Sequence, residues 1–278
     1  MPCLRIVNRR VVHSNPPGRL HRAATFHSNS NAIRTVPALS YEQKLERKIT
    51  RRFQKAQTTY RLIDDGDHVL VGLSGGKDSL CLLELLAKRM KITRPSFRIT
   101  ALHVRMENID YRSDTSYLET FAGKLGVPLR TVTTRFDENA GSRKPECFLC
   151  SWHRRKQMFK TAQELGCNKL ALGHHMDDII HTTMMNQFFQ GHFSTMPVRL
   201  AMKKMPLTII RPLCLEEESD IEAFARLRGY EPQLKVCPFE RDSQRTAMRD
   251  IFSRIEAVNP EARYSFWNAL EADGKLTE

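Results

Sequence analysis

From Tyr41 onward, short apolar runs alternate with amphipathic stretches of helical length, and this alternation constrains the fold more than any other feature of the chain. A charged helix is expected through about Gln57. The runs 68–73, 97–104, 129–133, 169–172 and 207–213 are rich in Val, Ile, Leu and Thr and short enough to be parallel strands buried on both faces. Helices are expected over 79–90, 114–125, 151–165, 177–189 and 219–228, with Gly126, Gly166 and Gly229 as C-terminal stops, and a last helix over 243–258. Strand, helix, strand in repetition predicts an α/β fold: a doubly wound parallel five-stranded sheet with flanking helices. Its ligand belongs beyond the carboxyl ends of the strands, where strand order reverses. Functional residues ought therefore to follow strands.

The regular pattern leaves both ends outside it. Residues 1–41 carry six arginines, three histidines, no lysine and no acid. They hold too few periodic apolar residues to offset the entropy of ordering, so this stretch reads as a disordered basic leader. Arginine-rich leaders also resemble organelle transit peptides, although this one lacks a clean amphipathic helix. The catalytic domain is expected over 42–258 and a C-terminal tail over 259–278. A chain of 278 residues, 41% hydrophobic, can bury one large core without disulfides. Its greasiest stretch, 80–87, is broken by Glu84 and falls short of the roughly 18 residues a membrane span requires, so a soluble protein with no membrane partner is expected. With 38 of the 44 Lys and Arg and all 31 acids, the chain from residue 42 keeps +7 of the formal +13. Such a surplus suits either plain solubility or a polyanionic partner whose counterions are released on binding. Seven cysteines, with only Cys147 and Cys150 closely spaced, do not make the dense framework of a secreted domain and point to the cytoplasm.

Directly after the first strand comes Ser74-Gly75-Gly76-Lys77-Asp78-Ser79. The glycines let backbone amides turn toward an anion, and the helix that follows adds the positive end of its dipole. Ser74 and Ser79 can donate hydroxyls to phosphate oxygens, Lys77 offers a point charge, and Asp78 is the hard carboxylate that Mg2+ prefers. The loop is not a Walker motif, because only three residues separate Gly72 from Gly76 and Asp78 follows Lys77 where that motif needs Ser or Thr. It closely resembles the pyrophosphatase loop of the PP-loop ATPases, which split ATP between its α and β phosphates.

The fourth strand closes on Leu172-Gly173-His174-His175-Met176-Asp177-Asp178, which puts two imidazoles and two carboxylates at the same rim. His174 or His175 could contact phosphate, and Asp177 or Asp178 could join Asp78 around a metal. Two acids at a helix start are also ordinary capping residues. This stretch is similar to the GHHxDD box of PP-loop tRNA-modifying enzymes, with the departure that His181 stands where Gln or Glu is expected.

Cys147 and Cys150 lie just before a basic helix bearing Arg154, Arg155 and Lys156, and Cys237 lies far downstream. On spacing alone, an iron-sulfur cluster, a structural zinc site and a redox disulfide remain open. Cys81, Cys167 and Cys214 read as small apolar residues packed on the sheet.

Taken in order, the phosphate loop, CFLCSWHRR, LGHHMDD, Met196-Pro197, IIRPL and the late cysteine resemble the tRNA 2-thiocytidine biosynthesis family, from about Lys44 to the C-terminus. That resemblance implies an ATP-dependent tRNA sulfurtransferase. It would adenylate the C2 oxygen of cytidine 32 and replace it with sulfur. Cys147, Cys150 and Cys237 would hold a 4Fe-4S cluster with one iron left open to sulfur. Asp78, Asp177, Asp178 and Cys147 would be catalytic, and Ser74, Gly75, Gly76, Lys77, Asp78, Ser79, His103, Gly173 and His174 would bind ATP with Mg2+. The family's late Cys pair is reduced here, since Leu234 and Cys237 occupy that spacing. Expected partners are tRNA, a sulfur donor such as a cysteine desulfurase, and a second copy of the chain in a homodimer. Arg154, Arg155, Lys156, Arg199, Lys203, Lys204, Arg245 and Arg249 are the candidates for tRNA phosphates. The competing readings are another PP-loop tRNA-modifying enzyme, a thiouridine synthase or a ligase of the lysidine synthetase kind, and a zinc-bearing RNA-binding protein with a vestigial nucleotide loop.

Overall fold

The computed structural model describes residues 38–111, 113–136, 145–236 and 244–278. The leader through residue 37 and Cys237 lie outside these. Helix α1 (Tyr41–Tyr60) opens on a capping box: the Ser40 hydroxyl accepts the Gln43 N–H at 3.2 Å, and the Gln43 side chain accepts the Ser40 N–H at 3.0 Å. Leu45, Ile49, Phe53, Ala56 and Tyr60 recur at helical spacing and are buried, which fixes which side of α1 faces the core.

The chain then builds β1 (His68–Gly72), α2 (Lys77–Met90), β2 (Arg98–Met106), β3 (Asp110–Tyr111), α3 (Ser116–Leu125) and β4 (Leu129–Thr134). It continues through α4 (Glu146–Glu164), β5 (Lys169–Ala171), α5 (Met176–Gln190), β6 (Arg199–Ala201), β7 (Thr208–Ile210), α6 (Glu218–Arg228), β8 (Lys235–Val236), α7 (Gln244–Val258) and α8 (Ala262–Ala272). The central sheet runs β4-β2-β1-β5-β7-β6, with β1, β2, β4, β5 and β7 mutually parallel. The five expected strands are all present. A sixth, β6, pairs antiparallel with β7 at the edge, a three-residue strand too short to show a period of two.

Successive strand residues face opposite layers. Val69, Val71, Ile99 and Ala101 join the large core under α1, α2, α5 and α6, whereas Leu70, Leu102, Val104 and Leu170 pack beneath α4 with Ala162 and Cys167. The stretch 259–278, read from sequence as a tail, contains α8, and its Trp267, Leu270 and Leu276 lie in the large core. Winding outward from β1 through β2 to β4, then back across to β5 and β7, reverses strand order between β1 and β5. The loops following those two strands carry the two sequence motifs.

Candidate active site

Because β1 is buried along its whole length, its carboxyl end delivers the loop 73–78 rigidly to the rim. The Leu73 N–H bonds the Leu102 carbonyl at 2.8 Å, and His103 Nδ1 lies 2.7 Å from the Leu73 carbonyl. His103 is 1% exposed, and burial lowers its pKa, so it stays neutral and supports the loop from within the sheet. The Ser79 hydroxyl accepts from the Gly75 N–H at 3.2 Å and donates to the Gly76 carbonyl at 2.9 Å. Ser74 in turn donates to Ser79 at 3.1 Å. Both hydroxyls thus hold the loop in shape. Gly75 adopts φ +84°, and a Cβ there would lie 2.6 Å from Gln233 Cβ, so only glycine fits. Gln233 also donates its N–H to the Gly75 carbonyl at 2.9 Å.

The loop after β5 presses against this turn. A Cβ on Gly173 would meet the Asp78 carbonyl carbon at 3.1 Å, so absence of a side chain brings the two motifs together. His175, 4% exposed, is the hub: its Nε2 lies 3.9 Å from Asp78 and 3.5 Å from Asp178, and its Nδ1 3.4 Å from Asp177. Burial works against its charge, but the three carboxylates outweigh burial and raise its pKa. Asp78 has its pKa raised, first by burial, with His175 and Lys77 opposing. Its Oδ1 is buried with no hydrogen-bond partner. His174 behaves differently. Burial and the Arg211 guanidinium, whose Nε donates to His174 Nδ1 at 3.3 Å, bring its pKa down to about 4. The ring is therefore neutral with its proton on Nε2.

Asp177 and Asp178, equivalent in sequence, separate in space. Asp177 is 7% exposed; its Oδ2 accepts the Glu218 N–H at 2.8 Å at the start of α6, and its Oδ1 pairs with Arg263 of α8. Burial opposes its ionisation, yet His175 and Arg263 hold its carboxyl well below the usual range. Asp178 faces the rim, paired with Arg245 at 2.8 Å. Lys77 pairs with Glu218 at 3.0 Å and stays charged, because Asp78 and Glu218 outweigh its burial. His181 is buried edge-on against Phe252 of α7 at 6.1 Å, and burial lowers its pKa against the pull of Asp177. Sequence reasoning missed Glu218, Arg211, Gln233 and Arg263. An acid at a helix start or a lone arginine after a strand carries no signal of its own until tertiary contacts give it a partner.

Cys147 and Cys150 are not ahead of the basic helix but on it, within the first turns of α4. Pro145 is the reason: it sets the entry to the helix, and its carbonyl accepts the Phe148 N–H at 2.9 Å and the Leu149 N–H at 3.2 Å. An i, i+3 spacing puts both thiols on one face. Cys147 is exposed, while Cys150 packs with Leu149 against Met106, Ile109, Tyr111 and Phe136 at the carboxyl ends of β2 and β4. Arg154 donates to the Tyr111 hydroxyl at 3.0 Å. Tyr111 and Asp110 pair with Lys235 and Val236, so the chain that touches Gly75 at Gln233 reaches this cysteine neighbourhood three residues later. Cys237 follows next in sequence, outside the described residues. Among the described residues no three His, Cys, Asp or Glu side chains form a metal-binding group. Cys81, Cys167 and Cys214 are buried as expected, and burial pushes the Cys167 thiol up to about 11.

Residues 42–253 match the PP-loop domain family. The tRNA-cytidine(32) 2-sulfurtransferase of Geobacter metallireducens is 33% identical over 236 residues, which are 82% of this chain and 91% of that protein. Its counterpart from Syntrophotalea carbinolica is 34% identical over 82% of this chain and 90% of its own length. The chain belongs to the tRNA-cytidine(32) 2-sulfurtransferase family of PP-loop proteins. Family membership agrees with the architecture, which is shared with the U34-tRNA thiolase NcsA from Methanococcus maripaludis, solved with its [4Fe-4S] cluster. That match has a TM-score of 0.67 at 24% identity and covers 83% of this chain and 79% of the other.

Proposed function

We propose that this chain is an ATP-dependent tRNA sulfurtransferase that converts a cytidine, at position 32, to 2-thiocytidine. The observation that carries the reading is the short path between the two halves of the chemistry. Gln233 is bonded to the phosphate loop, and Val236 is paired beside the pocket that packs Cys150. At about 3.3 Å per extended residue the two points are roughly 10 Å apart along the chain, within reach of a single nucleotide.

Oxygen on a ring carbon leaves poorly, so O2 of the cytidine attacks the α phosphorus of ATP and pyrophosphate departs. Sulfur at the sulfide level then adds to C2, the C2–O bond breaks, and AMP leaves with the oxygen. No net oxidation occurs. The amides of Gly75 and Gly76, the start of α2 and the Lys77 ammonium would take the charge of the departing pyrophosphate. His174, with its proton on Nε2, would donate to a phosphate oxygen. Asp78 and Asp178 would hold Mg2+, which supplies Lewis-acid charge; the buried Oδ1 of Asp78, with the Lys77 ammonium at 3.4 Å and His175 Nε2 at 3.9 Å but no close hydrogen bond, suits a cation. His103 and the two serines would keep the loop shaped, and Asp177 would hold the rim together. Cys147, Cys150 and Cys237 would hold a 4Fe-4S cluster; the exposed Cys147 and the one-face spacing fit that donor set. When bound, the cluster supplies an iron able to carry sulfide. A cysteine desulfurase would be the sulfur source, in the cytoplasm, with a thiol reductant supplying the two electrons that bring its persulfide sulfur to the sulfide level. No helix among the described residues is long and apolar enough to cross a membrane.

The test uses anaerobically reconstituted protein with tRNA, ATP, Mg2+ and sulfide, read by nucleoside mass spectrometry and pyrophosphate release. The wild type is expected to form 2-thiocytidine. Cys147→Ala is expected to lose iron and thiolation while still binding ATP. Asp78→Ala is expected to lower pyrophosphate release on the order of 10²–10³-fold with its iron unchanged. Wild-type protein that releases pyrophosphate but leaves every cytidine unmodified would overturn the assignment.

A further inference from the structure

We propose that the solvent face of α1 is a docking surface for the phosphodiester backbone of the tRNA, outside the catalytic rim and continuous with it. This rests on the sulfurtransferase reading above and adds where the RNA is held. Among the described residues, Lys44, Arg47, Lys48, Arg51, Arg52 and Lys55 line a shallow open cavity of about 440 Å³. Two of the six are engaged: Lys48 pairs with Asp220 at 2.6 Å, and Arg52 pairs with Glu217 at 2.7 Å and Asp220 at 2.8 Å. The remaining four are exposed and make no ion pair among the described residues. The first 41 residues contain no acid that could neutralise them.

A charged helix face ordinarily serves solubility, and then both signs are interspersed. Here the sign is uniform. Lys44 and Lys48, Arg47 and Arg51, Lys48 and Arg52, and Arg51 and Lys55 are all like-charge neighbours one turn apart, an arrangement that costs the helix stability unless a polyanion lies across it. Lys44 to Lys55 spans about 16 Å at 1.5 Å per residue, a length suited to a run of phosphates rather than to one small anion. An anionic membrane surface is a poorer match. The apolar face of α1 is spent in the core through Leu45, Ile49, Phe53 and Ala56, and the basic stripe itself carries no apolar side chain to enter a bilayer. The stripe is also correctly placed. Arg52 is held by Glu217, and the next residue, Glu218, holds Lys77 of the phosphate loop at 3.0 Å. RNA on α1 therefore lies beside the rim where its loop must be modified.

The experiment measures binding of unmodified tRNA to the full chain across about 50 to 300 mM salt, with ATP binding as the check on folding. Neutralising all four exposed cations (Lys44→Gln, Arg47→Gln, Arg51→Gln, Lys55→Gln) is expected to weaken binding about 10- to 100-fold at moderate salt. The slope of log affinity against log salt should fall by about 3. The pairs K44Q/K55Q and R47Q/R51Q should each give about half the change in slope. A charge-preserving variant, K44R/R47K/R51K/K55R, should bind like wild type. An unchanged affinity and slope in the fourfold variant overturns the docking surface while leaving the sulfurtransferase reading intact. A charge-preserving variant as weak as the neutral one overturns it too. Wild-type protein that binds no tRNA overturns both. Loss of binding to phosphatidylserine vesicles in the fourfold variant, with tRNA binding untouched, would reassign the face to lipid.

Discussion

Glu216 illustrates how much a single side chain can cost. It lies at 0% exposure between β7 and α6, and neither carboxylate oxygen has a hydrogen-bond partner. Burial, opposed by Arg52, pushes its pKa up to about 8. The folded protein therefore keeps a proton that the unfolded chain releases above the ordinary value of 4.5, so stability falls as pH rises from 4.5 toward 8 and levels off beyond. Glu216→Met removes the carboxyl at similar volume. The variant is expected to be more stable than the parent at pH 8, by about 4 kcal/mol, and little changed at pH 4.5, as read from urea midpoints at the two pH values. At this scale the sequence was legible where chemistry is local: the phosphate loop and the glycines at 75 and 173 stand where their motifs put them. It was silent where partners come from afar. His174 and His175 are adjacent and chemically alike, yet burial and Arg211 lower the pKa of one while three carboxylates raise that of the other.

Among elements, the same logic divides the two acids at the start of α5. Asp177 ties three helices together, accepting the first N–H of α6 and pairing with Arg263 of α8. Breaking a buried charge pair leaves its partner uncompensated, so Asp177→Asn is expected to lower unfolding free energy by about 3 kcal/mol, measured by urea denaturation. ATP binding per folded molecule should change less than in Asp78→Ala. Helix positions were largely readable from period and punctuation: Gly126 and Gly229 cap α3 and α6 as expected. The start of α4 was misplaced by five residues, because the cysteine pair invited a loop while Pro145 and Glu146 were signalling a helix. The antiparallel β6 and the ribbon of β3 and β8 were invisible. Strands of two or three residues are made by their partners, not by their own periodicity.

Across the whole molecule, residues 39–278 form one compact unit, and its first helix carries its own cap at Ser40. A chain starting at residue 39 is expected to melt within about 2 °C of the full chain, because residues 39–278 are a compact unit by themselves and their first helix keeps its own cap. Differential scanning calorimetry of the two chains decides this. The winding order of the sheet followed from the strand and helix alternation, since it leaves one reversal point for a ligand. The embedding of α8 did not follow, because Trp267 and Leu270 are buried through contact with other helices, the distant α5 and the neighbouring α7. The link from Gln233 to Val236 has a mechanical corollary. A strap of four residues anchored at both ends has almost no slack, so any shift of the nucleotide cradle on filling is passed directly to the strand beside the thiols. Under the reading proposed above, this backbone strap would link the place of activation to the place of sulfur delivery.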